Sequence, residues 1–122
     1  MERRHRDLRA WQEAMILVEM VYRLTATFHS DEKFGLTSQM RRSAVSVPAN
    51  LAEGAARKGT RELLHFISIA TASLSELDTH LEIAVRLGYA KDTEELQRKM
   101  DQVSMLVSSL AKSLKPKVSR DP

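Results

Sequence analysis

Apolar residues return every three or four positions along most of this chain, and the rows they form are interrupted by a few glycines, prolines and acidic pairs. That spacing predicts four helices. The first covers residues 8–28, opened by Asp7 as N-cap, with Leu8, Trp11, Met15, Val18 and Tyr22 in one row. A loop at 29–35 leads to a second helix over 36–57, whose Met40, Ala44, Val47 and Leu51 share a face and which Lys58 and Gly59 end. Thr60 caps a third, longer helix. It carries Leu63, Phe66, Ile67, Ala70, Leu74, Leu77, Leu81 and Val85 in a seam and stops at Gly88, a residue suited to a C-terminal cap. Asp92 and Glu95 make an acidic capping box for the fourth, with Leu96, Met100, Val103, Val107, Leu110 and Leu114 as its stripe. Pro116 closes that helix, and the last six residues read as a frayed tail.

Helices of about 20 residues are about 30 Å long, and four of matching length with short connections pack most simply up, down, up and down. The expected architecture is therefore all-α: an antiparallel up-and-down four-helix bundle in a single domain over 1–122. Its core spans about 7–115, between a flexible basic N-terminus and the C-terminal tail. The faces are unequal. Leu17, Val21, Leu24 and Phe28 widen the apolar side of the first helix, Ile16 and Met20 stand outside both rows, and Ile69, Ile83 and Leu87 lie off the seam of the third. One four-helix subunit cannot bury all of this, which predicts a homo-oligomer.

The second helix holds QMRRSAVSVPANLAEG, residues 39–54. Pro48 removes an amide donor and crowds the Ala44 carbonyl, so the helix is expected to kink there; the alternative is a second helix starting at Pro48. Ser43, Ala44, Ser46, Ala49, Ala52, Gly54, Ala55 and Ala56 give it a thin profile for close packing. Arg42, Ser46, Asn50, Glu53 and Arg57 fall on one line, as a solvated stripe with a Glu53–Arg57 ion pair or as part of a binding face. Adding Arg41, Lys58 and Arg61 makes that face a cationic end able to hold phosphates.

Composition narrows the classes. The 122 residues are 43% hydrophobic, and 19 Lys and Arg against 16 Asp and Glu give a net charge of +3, a mixed surface that by itself names no partner. Four Gly and three Pro are few for a β-rich chain, and the absence of Cys removes disulfides, thiolate zinc sites and a thiol nucleophile. No apolar run is long enough for a membrane span, and the charged first nine residues do not suit a secretory signal, so a cytoplasmic location is expected. The charge is uneven: eleven Lys and Arg face seven Asp and Glu up to residue 61, and eight face nine beyond it. The first half is thus the anion-facing one, with Arg41, Arg42, Arg57, Lys58 and Arg61 as candidate nucleic-acid-binding residues. With Trp11 and Tyr22 placed in core seams, no stacking platform for single strands is expected.

Enzyme classes find little support. Glu62 and His65 form one E-x-x-H and Glu76 lies one turn from His80, but a di-iron bundle needs a second such motif and two more inward Glu residues. Glu53 and Glu76 are expected to pair with Arg41 or Arg42. Neither a phosphate-cradling glycine loop nor a nucleophile elbow occurs, so no catalytic residue, metal or cofactor is assigned.

Three segments carry a resemblance: DLRAWQEAMILVEMVYRLT (7–25), GLTSQMRRSAVSVPANLAEG (35–54) and ELLHFISIATASLSELDTHLEIAVRLGY (62–89). Together they resemble the bacterial four-helix bundle proteins associated with intervening sequences in 23S rRNA genes. The chain departs from the family pattern with Ala72 where Gly is common and Leu51 where Ile is usual. The resemblance implies a homopentameric barrel without enzymatic activity. It extends to the accessory protein of diversity-generating retroelements, whose basic barrel associates with nucleic acid and a reverse transcriptase. The function expected is a non-enzymatic homo-oligomer that binds RNA, DNA or a nucleoprotein partner through its basic surface; the alternative is a protein-interaction scaffold with no nucleic-acid role.

Overall fold

The computed structural model describes residues 1–120. Its helices are α1 (Arg9–Thr25), α2 (Leu36–Ala55), α3 (Thr60–Arg86) and α4 (Glu94–Leu114), with no strand among the described residues. Each helix packs on two others, α1 on α2 and α4, and α3 on α2 and α4, around one shared core.

The second helix buries the face its pattern marks: Met40, Ala44, Val47 and Leu51 are all fully enclosed. Pro48 lies inside α2 and is buried, and the helix continues through it, so no second helix starts there. The neighbouring Asn50 Nδ2 donates to the Ser46 carbonyl at 2.8 Å, one turn back. Helix α1 turns out differently from its first-named row. Ala10, Ala14, Leu17 and Val21 face the core, whereas Trp11 and Val18 are half-buried and Met15 and Tyr22 are exposed. On α3, Ile67, Ala70, Leu74, Leu77, Leu81 and Ala84 are inside and Val85 is outside; on α4, Leu96, Met100, Val103 and Val107 are buried.

Helix ends depend on hydrogen bonds that periodicity does not reveal. Residues Arg4–Asp7 form a 3-10 turn in which the Leu8 amide donates to the His5 carbonyl, so Asp7 sits one position too early and Leu8 takes the N-cap place of α1. Helix α1 stops at Thr25, beyond which the Thr27 and Phe28 amides tighten to the Leu24 and Thr25 carbonyls, three residues back. Gly59, not Thr60, is the N-cap of α3. Before α4 the N-cap is Thr93, whose hydroxyl accepts from Gln97 Nε2 at 3.0 Å, in place of an Asp92–Glu95 box.

Gly88 ends α3 as its sequence position suggests. At φ +80° it lets its own amide reach the Val85 carbonyl and the Tyr89 amide reach Ala84, the paired bonds of a Schellman closure. Beyond α4, Lys115–Arg120 is not frayed but forms a further 3-10 stretch against α3 and α4, since Pro116 in a first turn needs no amide donor. Residues 121 and 122 of the expected tail lie outside the described residues.

Polar contacts tie the helices laterally and at one end. Lys99 Nζ on α4 reaches Glu13 Oε2 on α1 at 3.1 Å and Gln102 Oε1 at 2.8 Å, with both charged side chains largely covered. Glu32 accepts from the Leu36 amide and from the Tyr89 hydroxyl, each at 3.1 Å, joining the start of α2 to the α3–α4 turn beside the Phe28 ring. The Glu32 hydrogen bond holds the Tyr89 phenol above its ordinary value of 10.0, helped by burial and by the charges of Glu32 and Asp31. The neutral phenol is thus favoured in the folded state. Its contribution is complete below pH 10 and disappears as pH rises through the higher folded value. In alkaline unfolding titrations, wild type loses stability more steeply above pH 10 than Tyr89→Phe, and the two curves run parallel below it.

Candidate nucleic-acid interface

The five cations expected to share one end of the molecule occupy two places. Arg41 and Arg42 lie in the first half of α2, and Arg57, Lys58 and Arg61 at the α2–α3 connection. Thirteen residues of helix run from Arg42 to the end of α2, about 20 Å, and Arg57 lies beyond them.

At the α2–α3 connection, Arg57 is largely compensated. Its guanidinium is 3.3 Å from Glu53 Oε1 and 3.9 Å from Glu62 Oε2, and it lies 5.1 Å from the Phe66 ring centre. Lys58 and Arg61 are exposed beside it. The i,i+4 pair with Glu53 is therefore present, and Glu53 does not reach Arg41 or Arg42.

Arg41 and Arg42 border a groove of about 560 Å³ between α1, α2 and the loop joining them, lined also by Tyr22, Lys33, Phe34 and Thr37. Arg41 is held in place: its Nε donates to Thr25 Oγ1 at 2.9 Å and its guanidinium stacks 4.4 Å from the Tyr22 ring centre. Arg42 and Lys33 are exposed, and none of these three cations has a carboxylate within ion-pair distance among the described residues. The aromatic part of the groove corrects the sequence-based expectation. Tyr22 is 42% exposed and Phe34 is 89% exposed, so aromatic faces do stand next to cations. Lys33 and Phe34 were not singled out by charge counting; the signal available was one large apolar residue isolated in an otherwise polar loop before Gly35.

The polar row of α2 is divided by the fold. Its outer members Arg42, Glu53 and Arg57 are exposed, while Ser46 and Asn50 turn toward α3. Ser46 Oγ and Ser73 Oγ are 2.7 Å apart, and Asn50 Nδ2 donates to Ser46 Oγ at 2.9 Å. One turn earlier, Ser43 Oγ meets Nδ1 of the buried His80 at 3.2 Å. Glu76 Oε1 lies 3.7 Å from His80 Nε2, so Glu76 partners His80 and not Arg41 or Arg42. These groups satisfy one another inside an interhelical seam, which explains their residue types without chemistry on a substrate. Ala72 is exposed beside this seam, and at Gly54 α2 comes close enough to α3 that a Cβ there would stand 2.9 Å from Phe66 Cβ. His65 is exposed with its ring edge on Phe66, and among the described residues no three His, Asp or Glu side chains gather into a metal-sized group. No helix among them is long and apolar enough to cross a membrane.

A small all-α protein of four helices, with a partly buried polar seam between α2 and α3 and a basic, aromatic-edged groove between α2 and α1, is the class these features define. The chain belongs to the 23S rRNA-intervening sequence protein family, whose model matches residues 6–109 and so takes in α1 to most of α4. Among curated proteins, none matches the chain.

Proposed function

We propose that the protein is a non-enzymatic, cytoplasmic homo-oligomer that binds nucleic acid or a nucleoprotein partner through its basic surface. The observation that carries this reading is the set of three cations, Lys33, Arg41 and Arg42, around one groove without carboxylate partners among the described residues. Unneutralised guanidinium and ammonium groups on a shaped surface are what phosphate recognition uses. Lys58 and Arg61, beside the paired Arg57, form a second basic cluster past the end of α2, so a polyanion long enough to reach both places suits the arrangement.

The bundle is taken as antiparallel and up-and-down, bent at Pro48. Contacts between α2 and α3 support opposed directions, because residues 43, 46 and 54 meet residues 80, 73 and 66 in descending order. Self-association, as the pentamer that the resemblance implies, is supported by Met15 and Ile16 on α1, Val45 on α2, and Ile83, Val85 and Leu87 at the end of α3, all exposed on the single subunit. The same surface favours the second reading, a protein scaffold without nucleic acid.

Gel-shift titrations of structured RNA and of DNA across salt separate the two. Binding weakens steeply with ionic strength, and Arg42→Ala with Arg57→Ala weakens every sequence alike, each lost phosphate contact lowering the salt slope by about 1. Absence of binding at low salt leaves only the scaffold. Light-scattering mass tests the oligomer, which a stable monomer at micromolar concentration contradicts.

A further inference from the structure

We infer that the groove between α1, α2 and their connecting loop receives an unstacked base of a single-stranded nucleic acid on Phe34, with the flanking phosphates on Arg42 and Lys33. The inference rests on the nucleic-acid reading above and adds which form of nucleic acid is preferred and which residue selects it.

Phe34 leaves 89% of its surface in water, the largest exposure of any big apolar side chain after Met1. A phenyl ring gains nothing from duplex phosphates, but every free base offers it a flat face. Its surroundings are those a nucleotide needs. Lys33 Nζ is 5.5 Å from its centroid, and Arg41 and Arg42 line the same groove. Arg41 is already fixed by Thr25 Oγ1 and the Tyr22 ring, neither of which engages its terminal nitrogens, so it can meet an anion with little ordering cost. A duplex keeps its bases stacked on one another and would leave Phe34 idle; a single strand uses ring and cations together. The competing occupant of an exposed ring is a second copy of the chain. Three cations without carboxylate partners in the groove favour a polyanion over a protein surface of net charge +3.

The test uses the full chain with fluorescently labelled oligothymidylate of about twelve nucleotides and a duplex of equal length, titrated by anisotropy. Wild type binds the single strand more tightly than the duplex. Phe34→Ala lowers single-strand affinity about tenfold, leaves duplex affinity and the salt slope unchanged, and Phe34→Trp restores binding. Arg42→Ala instead lowers the salt slope for both probes. If Phe34→Ala leaves single-strand affinity intact, or weakens both probes equally, the inference is overturned while the broader nucleic-acid reading stands. Failure of wild type to bind the single strand at low salt overturns the inference, and failure to bind either probe or the structured RNA removes the nucleic-acid reading with it. A drop in light-scattering mass caused by Phe34→Ala would place the ring between copies and also overturn it. Phe34 lies at the surface, so its replacement leaves the fold in place for all these measurements.

Discussion

Leu51→Ala and Leu77→Ala each lower the stability of the folded protein by about 2–5 kcal/mol. Both side chains are wholly enclosed, Leu51 from α2 and Leu77 from α3, where those helices meet the shared core. Truncation removes the transfer free energy of the lost carbons and leaves a void that four packed helices can only partly close. A chain of this size is stable by about 5–15 kcal/mol, so either change removes a large fraction of the total. Denaturant unfolding at one fixed protein concentration reads the effect as a lower midpoint with an unchanged slope. Leu87→Ala is the internal comparison. That residue is 58% exposed on the single subunit, and its truncation shifts the midpoint of a monomer by no more than about 0.5 kcal/mol. A larger loss at Leu87 that shrinks on dilution, as wild type also dissociates, would mean that a second copy covers it.

The contrast between α2 and α1 shows what apolar periodicity can and cannot decide. On α2 a single apolar row exists, Met40, Ala44, Val47 and Leu51, and all of it is buried. On α1 two rows compete, and hydrophobicity favours the one with Trp11, Met15 and Tyr22. Close helix packing favours the other, because Ala10 and Ala14 let neighbouring backbones approach. That choice belongs to tertiary contact and is not encoded in the period of one segment. Cap positions differ from composition for a related reason: Asp7 and Asp92 are chemically suited to the task, but the 3-10 turn before α1 and the Thr93–Gln97 bond before α4 set the register.

The candidate site was legible in part. Arg41 and Arg42 can be named because their charge is local to the sequence, whereas about 20 Å of helix separates them from Arg57, Lys58 and Arg61. Lys33, Phe34 and Tyr22 join the groove only through the path of the α1–α2 loop. Ser46 and Asn50 lie on the same line as Arg42, yet the position of α3 leaves them half-buried. Spacing places residues on a face; the neighbouring helix decides whether that face is wet.

Gly54→Val destabilises the protein by about 3 kcal/mol or more, and Gly54→Ala by about 1–2 kcal/mol. The glycine is buried in the last turn of α2, and a Cβ there would stand 2.9 Å from Phe66 Cβ, 3.0 Å from Leu63 Cδ1 and 3.3 Å from the Leu63 carbonyl oxygen. The leucine methyl can rotate away, but Phe66 Cβ and the carbonyl move only with α3 itself, so the two helices must separate. Helix propensity pulls the other way, since Ala is favoured over Gly by about 1 kcal/mol in a helix interior. Ala49→Gly, at an exposed position of the same helix, measures that propensity without the contact. A stabilising Gly54→Ala equal and opposite to Ala49→Gly would show that α3 yields freely. The expected loss shows that close approach outweighs propensity. The separation also has a local signature, because Arg57 stacks on the same Phe66 that the new Cβ would push. Gly54→Ala should therefore disturb the Arg57–Phe66 contact, read from side-chain chemical shifts, while leaving the Arg41–Tyr22 stack far along α2 unchanged.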